Sequence, residues 1–415
     1  MDGREIRKMA GMLCARLPEL QLAEVPDPRK HRGKRWALAA LLRAVIVGMT
    51  AGCKSLLQLE ALTSEMSSPM RTRLGLKRRV PDTTVRDVLC KLSPGDVVGP
   101  LHRQVKAAHR RKALEPVGLP FGTVALDGKE TAVTGVDDKY AQRQSHVPDA
   151  HRPGIVRTLT CTLTSSRAKV CIDAQPIDAK TNEMGHFEIA IPRLMATYGK
   201  SLFQLITYDA GACSLANASL VVSFGLDYLL GLKGPQPTLL AEAERLLAKL
   251  TPAMATAVTD DVVGAHTVTR RLYLTTEMAG FLDWGHLKTV LRVETEKVDR
   301  RTGERVAYEN RYFLASLSRE KLTDAQWLAV VRGHWAVENN CHHTWDTAFQ
   351  EDDRRWIEAC PRATVVVDVL RRIAYNMLAL FRSVTQRSED RRQTPWRDLL
   401  RWVYNALIAA TNAHL

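Results

Sequence analysis

Between residues 121 and 234 the chain repeats one pattern: a short β-branched run, punctuation by Gly, Pro or charge, and then, twice, a stretch of helical length. The runs are "FGTVALDGKE" (121–130), "IVRTLTCTLTSS" (155–166), "AKVCIDAQPI" (168–177), "KSLFQLITYDAG" (200–211) and "DYLLGLKG" (227–234). Val, Ile, Thr and aromatic side chains suit a pleated, partly buried surface, so each run reads as a strand. The intervening "GHFEIAIPRLMATYG" and "CSLANASLVVSFG" have helical length and period. Three adjacent strands, a helix, a strand, a helix and a strand describe an α/β domain with a mixed sheet.

The flanks differ. Residues 1 to about 115 carry helical periodicity: "RWALAALLRAVIVGMTAG" ends at Gly52, and "PDTTVRDVLCKL" opens with Asp82 or Thr83 as a cap. From 236 to 320 the pattern turns β-rich, with "AHTVTRRLYLTT", "LKTVLRVETEKVD" and "RVAYENRYFLASLS", the last two joined by the turn signal "RRTGE". Helical signal returns in "TDAQWLAVVRGHWAVENN" and "VVVDVLRRIAYNMLALFR". The expected organisation is a helical N-terminal segment at 1–115, a core at 116–235, a β-rich insertion at 236–320, the return to the core at 321–390 and a helical tail at 391–415.

The 59 Lys and Arg against 45 Asp and Glu give a net charge of +14, which points to polyanionic partners. The charge clusters at 27–36, 71–79, 106–112, 299–305 and 391–402. Each run alone reads first as a solvated face; together they favour nucleic acid. No apolar run reaches the length of a membrane span, and "MDGREIRKMAGMLCARL" lacks a signal-peptide core, so no membrane and a cytoplasmic, nucleoid-associated location are expected. Eight Cys occur without a CxxC pair, which indicates neither a disulfide framework nor a cysteine zinc site.

Two strand runs finish on an acid, "VALD" at Asp127 and "LITYD" at Asp209. An Asp at the C-terminal end of a sheet strand sits where α/β sheets place ligands, although a turn or cap Asp has the same signature. A third carboxylate, Glu338, lies in "RGHWAVENNCHHTWD", whose helical spacing puts His334, Glu338, His342, Trp345 and Asp346 on one side. Three carboxylates on a basic scaffold suit Mg²⁺ or Mn²⁺, which share phosphate oxygens with a substrate. Two such ions about 3.5–4 Å apart can activate a water or 3′-hydroxyl and steady the leaving oxygen. Zinc on His334, Glu338 and His342 is the weaker alternative, because those ligands span two turns, about 12 Å at 1.5 Å per residue.

These features together resemble the DDE transposases of bacterial insertion sequences, in the ISAs-type group that includes the H-repeat-associated proteins. The likeness runs from about 20 to 385 and rests on "VPDPRKHRGKRWALAALL", "VALDGK", "KTNEMGHFEIAIPRLM", "LITYDAGAC", "DYLLGLKG", "RGHWAVEN", "HHTWDTAFQEDDRR" and "VLRRIAYNML" in that order. It implies a ribonuclease-H-like catalytic core, interrupted by the β insertion before the last catalytic helix. It also implies Asp127, Asp209 and Glu338 as catalytic and metal-binding residues, with two Mg²⁺ per site. The wider Tyr-Arg-Glu-Lys signature would want Arg and Lys where this sequence has His334 and Trp345, and His343 stands where the group's pattern has Trp.

The implied activity is cleavage of element ends and joining of the 3′-hydroxyl to target DNA, by an endonuclease acting on double-stranded DNA as a homodimer. Lys233, Arg270, Arg271 and Arg332 are candidate phosphate contacts, because ammonium and guanidinium groups meet phosphate oxygens. Trp284, with polar neighbours in "FLDWGHLK", is a candidate stacking residue, and His334 and His342 would meet DNA beside Glu338. If Glu338 were not the third carboxylate, Asp346 and Glu351 would be next. A DNA-binding protein without chemistry and a metal-dependent nuclease of the same fold are the alternatives.

Overall fold

The computed structural model describes residues 3–30, 34–137, 139–143 and 154–415, so part of the basic run at 27–36 lies outside the described residues. Six helices come first: α1 (Gly3–Arg16), α2 (Leu38–Thr50), α3 (Leu56–Glu65), α4 (Ser68–Leu74), α5 (Asp82–Leu89) and α6 (Pro94–Arg110). Side chains of Ser55 and Ser67 accept the Gln58 and Met70 N–H groups and so start α3 and α4. The expected cap of α5 moves by one: Pro81 takes the cap position and Asp82 stands in the first turn, where a carboxylate still favours the positive helix end.

The sheet holds β1 (Thr123–Val133), β2 (Ala141–Arg143), β3 (Gly154–Leu163), β4 (Cys171–Pro176), β5 (Leu205–Tyr208) and β6 (Asp227–Leu232), with α7 (Glu183–Tyr198) and α8 (Leu215–Ser223) as connections. After α9 (Pro237–Leu247) come β7 (Ala257–Val263), β8 (His266–Thr275), β9 (Thr289–Asp299) and β10 (Arg305–Ala315). Among the described residues they form one ten-stranded sheet in the order β2-β3-β1-β5-β6-β10-β9-β8-β7, with β4 on β3. β1, β3 and β4 pair antiparallel, whereas β1, β5 and β6 run parallel, as crossover helices require. The sheet is therefore mixed, as the strand pattern predicted.

The region 236–320 departs from expectation in two ways. It opens with a helix, α9, and it carries a fourth strand, β7, that the sequence did not announce. Moreover, the four strands are not a separate element: β10 pairs antiparallel with β6, so the insertion widens the same sheet.

The last elements are α10 (Asp324–His334), a π turn (Val337–His342), α11 (His343–Thr347), α12 (Pro361–Leu380), α13 (Glu389–Arg392) and α14 (Trp396–Ala409). Nearly every residue of α12 is buried. Its apolar side chains form one continuous cluster with those of α1–α6 and α14, so the N-terminal segment and the C-terminal tail share a core. Asn376 pins α12 to the sheet: its Oδ1 accepts from Cys171 N–H at 2.9 Å and its Nδ2 donates to the same residue's C=O at 2.7 Å. All eight Cys are free thiols, five of them buried. Among the described residues no helix is long and apolar enough to cross a membrane.

Candidate active site

Parallel pairing of β1 with β5 sets Ala125 opposite Thr207, and there it stops. β5 ends at Tyr208, while β1 continues to Val133 against β3. Asp127 is thus not at a strand end, as its sequence suggested; what ends beside it is the parallel pairing. Two residues past the last pair on each strand stand Asp127 and Asp209, on the sheet face that Ala125 and Thr207 share by alternation. Asp209 opens a short 3₁₀ turn, its Oδ1 accepting from Gly211 N–H at 2.9 Å. That turn crosses β6 at Gly231, where a Cβ would lie 2.9 Å from Ala210 N, so only glycine admits it this closely.

The helix that faces this edge begins with a capping box between Thr323 and Gln326. It then widens: His343 N–H bonds back to the Glu338 C=O, five residues earlier, in place of the ordinary four. His334 precedes the widening and is 7% exposed, with Nδ1 3.1 Å from Thr207 Oγ1. His342 follows it, with Nδ1 3.3 Å from Asp127 Oδ2. Glu338 lies between them and is exposed. Because the π turn rotates later side chains backward, Trp345 leaves the shared side and is fully buried against Tyr375 and the Arg372 guanidinium, 3.5 Å from its ring. Asp346 instead accepts from Lys129 Nζ at 2.9 Å, two residues along β1 from Asp127.

Both imidazoles are neutral at neutral pH. Burial brings His334 down to about 4 against a weaker pull from Asp209. Burial, then the positive charges of Arg372 and Lys129, bring His342 down to about 3. A neutral His342 facing a carboxylate carries its proton on Nδ1. The unfolded chain therefore takes up protons below about pH 6.5 that these two folded sites refuse until about pH 4 and below, and stability falls across that window. Asp368, which burial and then Glu351 push up to about 7, acts in the opposite sense and offsets part of the loss. We expect the denaturant midpoint to drop between pH 7 and pH 5, and to drop less in His334→Gln; an equal drop in both would contradict the assignment.

Asp209 and Glu338 line one cleft of about 560 Å³, together with Lys233, Arg270, Arg332 and His334. Lys233 stands exposed just past β6. Arg270 and Arg332 meet on the carboxylate of Asp261, at 2.6 and 2.8 Å. Three of the predicted phosphate contacts thus share the cleft with two of the predicted carboxylates.

Two of the predicted DNA contacts lie outside this cleft. Arg271, which points to the opposite sheet face by alternation, is held by Glu294 at 2.6 Å and Glu296 at 3.0 Å and is not in the cleft. Trp284 is 4% exposed, packed in the core and edge-on to His286, so it offers no face to a base. Sequence reasoning also missed Arg311, which lines the cleft with its guanidinium 4.5 Å from the Trp335 ring and 2.6 Å from Glu309. Strand alternation in "ENRYF" was the available signal.

Among the described residues no group of three or more His, Cys, Asp or Glu side chains is gathered closely enough to hold a metal ion. The donor chemistry of Asp209 and Glu338 in one water-accessible cleft fits a hard cation that keeps waters and takes phosphate oxygens. The reserve carboxylates do not fit: Glu351 is fully buried against Arg371 and Arg372, and Asp346 is engaged by Lys129.

No curated protein matches the chain in sequence. Among solved structures it is similar to the piggyBac transposase in a synaptic complex with hairpin DNA, at 11% identity and a TM-score of 0.45, over 98% of this chain and 80% of that one. Residues 20–99, which run from the connection after α1 through α5 into α6, match the family model described as DDE_Tnp_1-associated.

Proposed function

We propose that this protein is a DNA transposase of the DDE type, which cuts the ends of its element and joins the freed 3′-hydroxyl to target DNA. The observation that carries the reading is the cleft that Asp209, just past a strand end, and Glu338, from a distant helix, line together with Lys233, Arg270 and Arg332. The DDE_Tnp_1-associated match at 20–99 supports it from outside the cleft. The order β4-β3-β1-β5-β6, three strands antiparallel and then two parallel, supports a ribonuclease-H-like core, with β7–β10 as the insertion before the helix that carries Glu338.

In this reading Asp127, Asp209 and Glu338 would hold two Mg²⁺, or Mn²⁺ in their place. The ions supply a polarised nucleophile and neutralise the leaving oxygen. His342, with Nδ1 3.3 Å from Oδ2 of Asp127, orients that carboxylate. His334 holds the helix to Thr207, and so fixes the height of Glu338 above the sheet edge. Arg270 and Arg332 bind a DNA phosphate in exchange for Asp261, which keeps them extended until DNA arrives. Double-stranded element ends and target DNA are the substrates, and a homodimer is the form that pairs two ends.

The test is incubation of the full-length protein with supercoiled DNA carrying the sequences that flank its gene, with Mg²⁺ and with a chelator. Cleavage at matching inverted repeats and joining of a pre-cut end, both lost with the chelator, are expected. Cutting without joining would identify a nuclease, and binding with neither would identify a DNA-binding protein.

A further inference from the structure

A second cleft opens beside the same π turn. It encloses about 200 Å³ between Asn340 of that turn, the β3–β4 turn at Arg167 and Lys169, and a second π turn, Phe381–Thr385, which ends α12 and contributes Arg382. Arg392 and Glu389 of α13 complete the wall. Four cations thus face one carboxylate. Glu389 is shared by Arg392 at 3.2 Å and Arg167 at 3.9 Å.

The other two cations have poorer company. Lys169 Nζ donates to the Thr164 C=O at 2.8 Å, and Arg382 Nε donates to the Arg392 C=O at 2.7 Å. The Arg382 guanidinium also lies 5.3 Å from the Trp396 ring. Burial works against the charge on both Lys169 and Arg382. Lys169 additionally sits in the left-handed region at φ +47°, a conformation unfavourable for a side chain with a Cβ. Cations withdrawn from water without an equal number of anions are costly, and an arriving anion removes that cost. π turns, which cost regular helix bonding, recur at functional sites, and here two of them border one cleft.

We propose that this cleft holds a backbone phosphate of the DNA strand on which the Glu338 cleft acts. Asn340 lies two residues from Glu338, about half a turn on, so a phosphate seated here fixes the strand relative to that carboxylate through the same π turn. The proposal rests on the DNA reading above; its chemistry, a phosphate oxygen on guanidinium and ammonium, is shared with free phosphates.

The experiment compares DNA affinity across salt concentrations for the full-length protein, Arg167→Gln, Arg382→Gln, the charge-keeping Arg382→Lys, and Arg245→Gln on α9, exposed, paired with Glu242 and outside both clefts and every basic run. Each lost phosphate contact lowers the slope of log affinity against log salt by about one unit. Arg167→Gln and Arg382→Gln are expected to lower it so and to weaken binding about tenfold at low salt. Arg382→Lys and Arg245→Gln are expected to keep the slope. Melting curves guard against misfolding, and if Arg382→Gln melts early, the surface variant Arg167→Gln decides. Normal DNA binding with unchanged slopes overturns the proposal and leaves the DNA reading standing. Failure of the parent protein to bind DNA overturns both. Pyrophosphate titrated calorimetrically into parent and variants covers the remaining source: binding that the variants lose, with unchanged DNA slopes, makes this a free-phosphate site and overturns the DNA assignment.

Discussion

Glu338→Gln is expected to bind element-end DNA as tightly as the parent protein and to lose both nicking and joining by on the order of a thousandfold or more, the scale of other groups that hold transition-state charge. The substitution preserves size and hydrogen-bonding shape, but it removes the negative charge that draws a hard cation. Glu338 is exposed in its cleft and buries nothing, so the fold should not change. In the proposed reading affinity rests on Lys233, Arg270 and Arg332, so it should hold, or rise slightly as a charge near phosphate disappears. Glu358→Gln is the control. Glu358 lies beyond the helix, in the irregular segment before α12, where its backbone carbonyl accepts from Thr134 N–H at 3.1 Å. Nicking assays with Mg²⁺ and Mn²⁺ read the result, and Glu338→Gln activity within a few-fold of the parent would mean that the π turn is structural only.

The second large effect is on stability. Arg372 is fully buried, donates from Nη2 to Glu351 Oε1 at 2.8 Å and from Nη1 to Oε2, and stacks on Trp345. Arg371 reaches the same carboxylate at 2.8 Å and Asp368 at 2.9 Å. Removing one partner of such a cluster strands a buried charge, so Arg372→Ala should cost about 3–5 kcal/mol, read as a lowered unfolding midpoint in urea. The paired replacement Glu351→Met with Arg372→Met should recover most of it, because no uncompensated charge remains. Arg372→Ala should also disturb the site, since Trp345 carries the contact on to His342, whose ring lies 5.2 Å away, and His342 meets Asp127. A loss under 1 kcal/mol would show the cluster to be loosely solvated.

The sequence was most legible where local chemistry decides. β-branched runs became β1, β3, β4 and β5, and the periodic stretch around Glu338 became a helix. Non-local pairing left no such trace. β7, "AVTDDVV", carries two acids and alternates between half-buried and exposed because it is the outermost strand of the insertion, so it lacks the hydrophobic face that identifies a strand. The junction of β6 with β10 joins residues 80 to 86 positions apart, and no turn signal marks it. Arg271 looked free because its partners, Glu294 and Glu296, lie across a strand pair. Trp284 looked exposed because its sequence neighbours are polar, yet the indole packs beneath β-strands and beside His286. The π turn is written in no residue type, and it separates the helical spacing of His334, Glu338 and His342 from that of Trp345.

The sequence singled out Asp209 and Glu338, which line one cleft, but not the surroundings of Asp127, which faces His342, and no three-donor group is assembled among the described residues. Mn²⁺ anomalous diffraction from crystals of the full-length protein with a short element-end duplex tests this most directly. Two anomalous peaks bounded by Asp127, Asp209 and Glu338, and absent from crystals of Glu338→Gln, are the expected result. Ordered end DNA with no Mn²⁺ at these carboxylates, or with Mn²⁺ bound by other residues, would contradict the assignment of the cleft as a DDE active site.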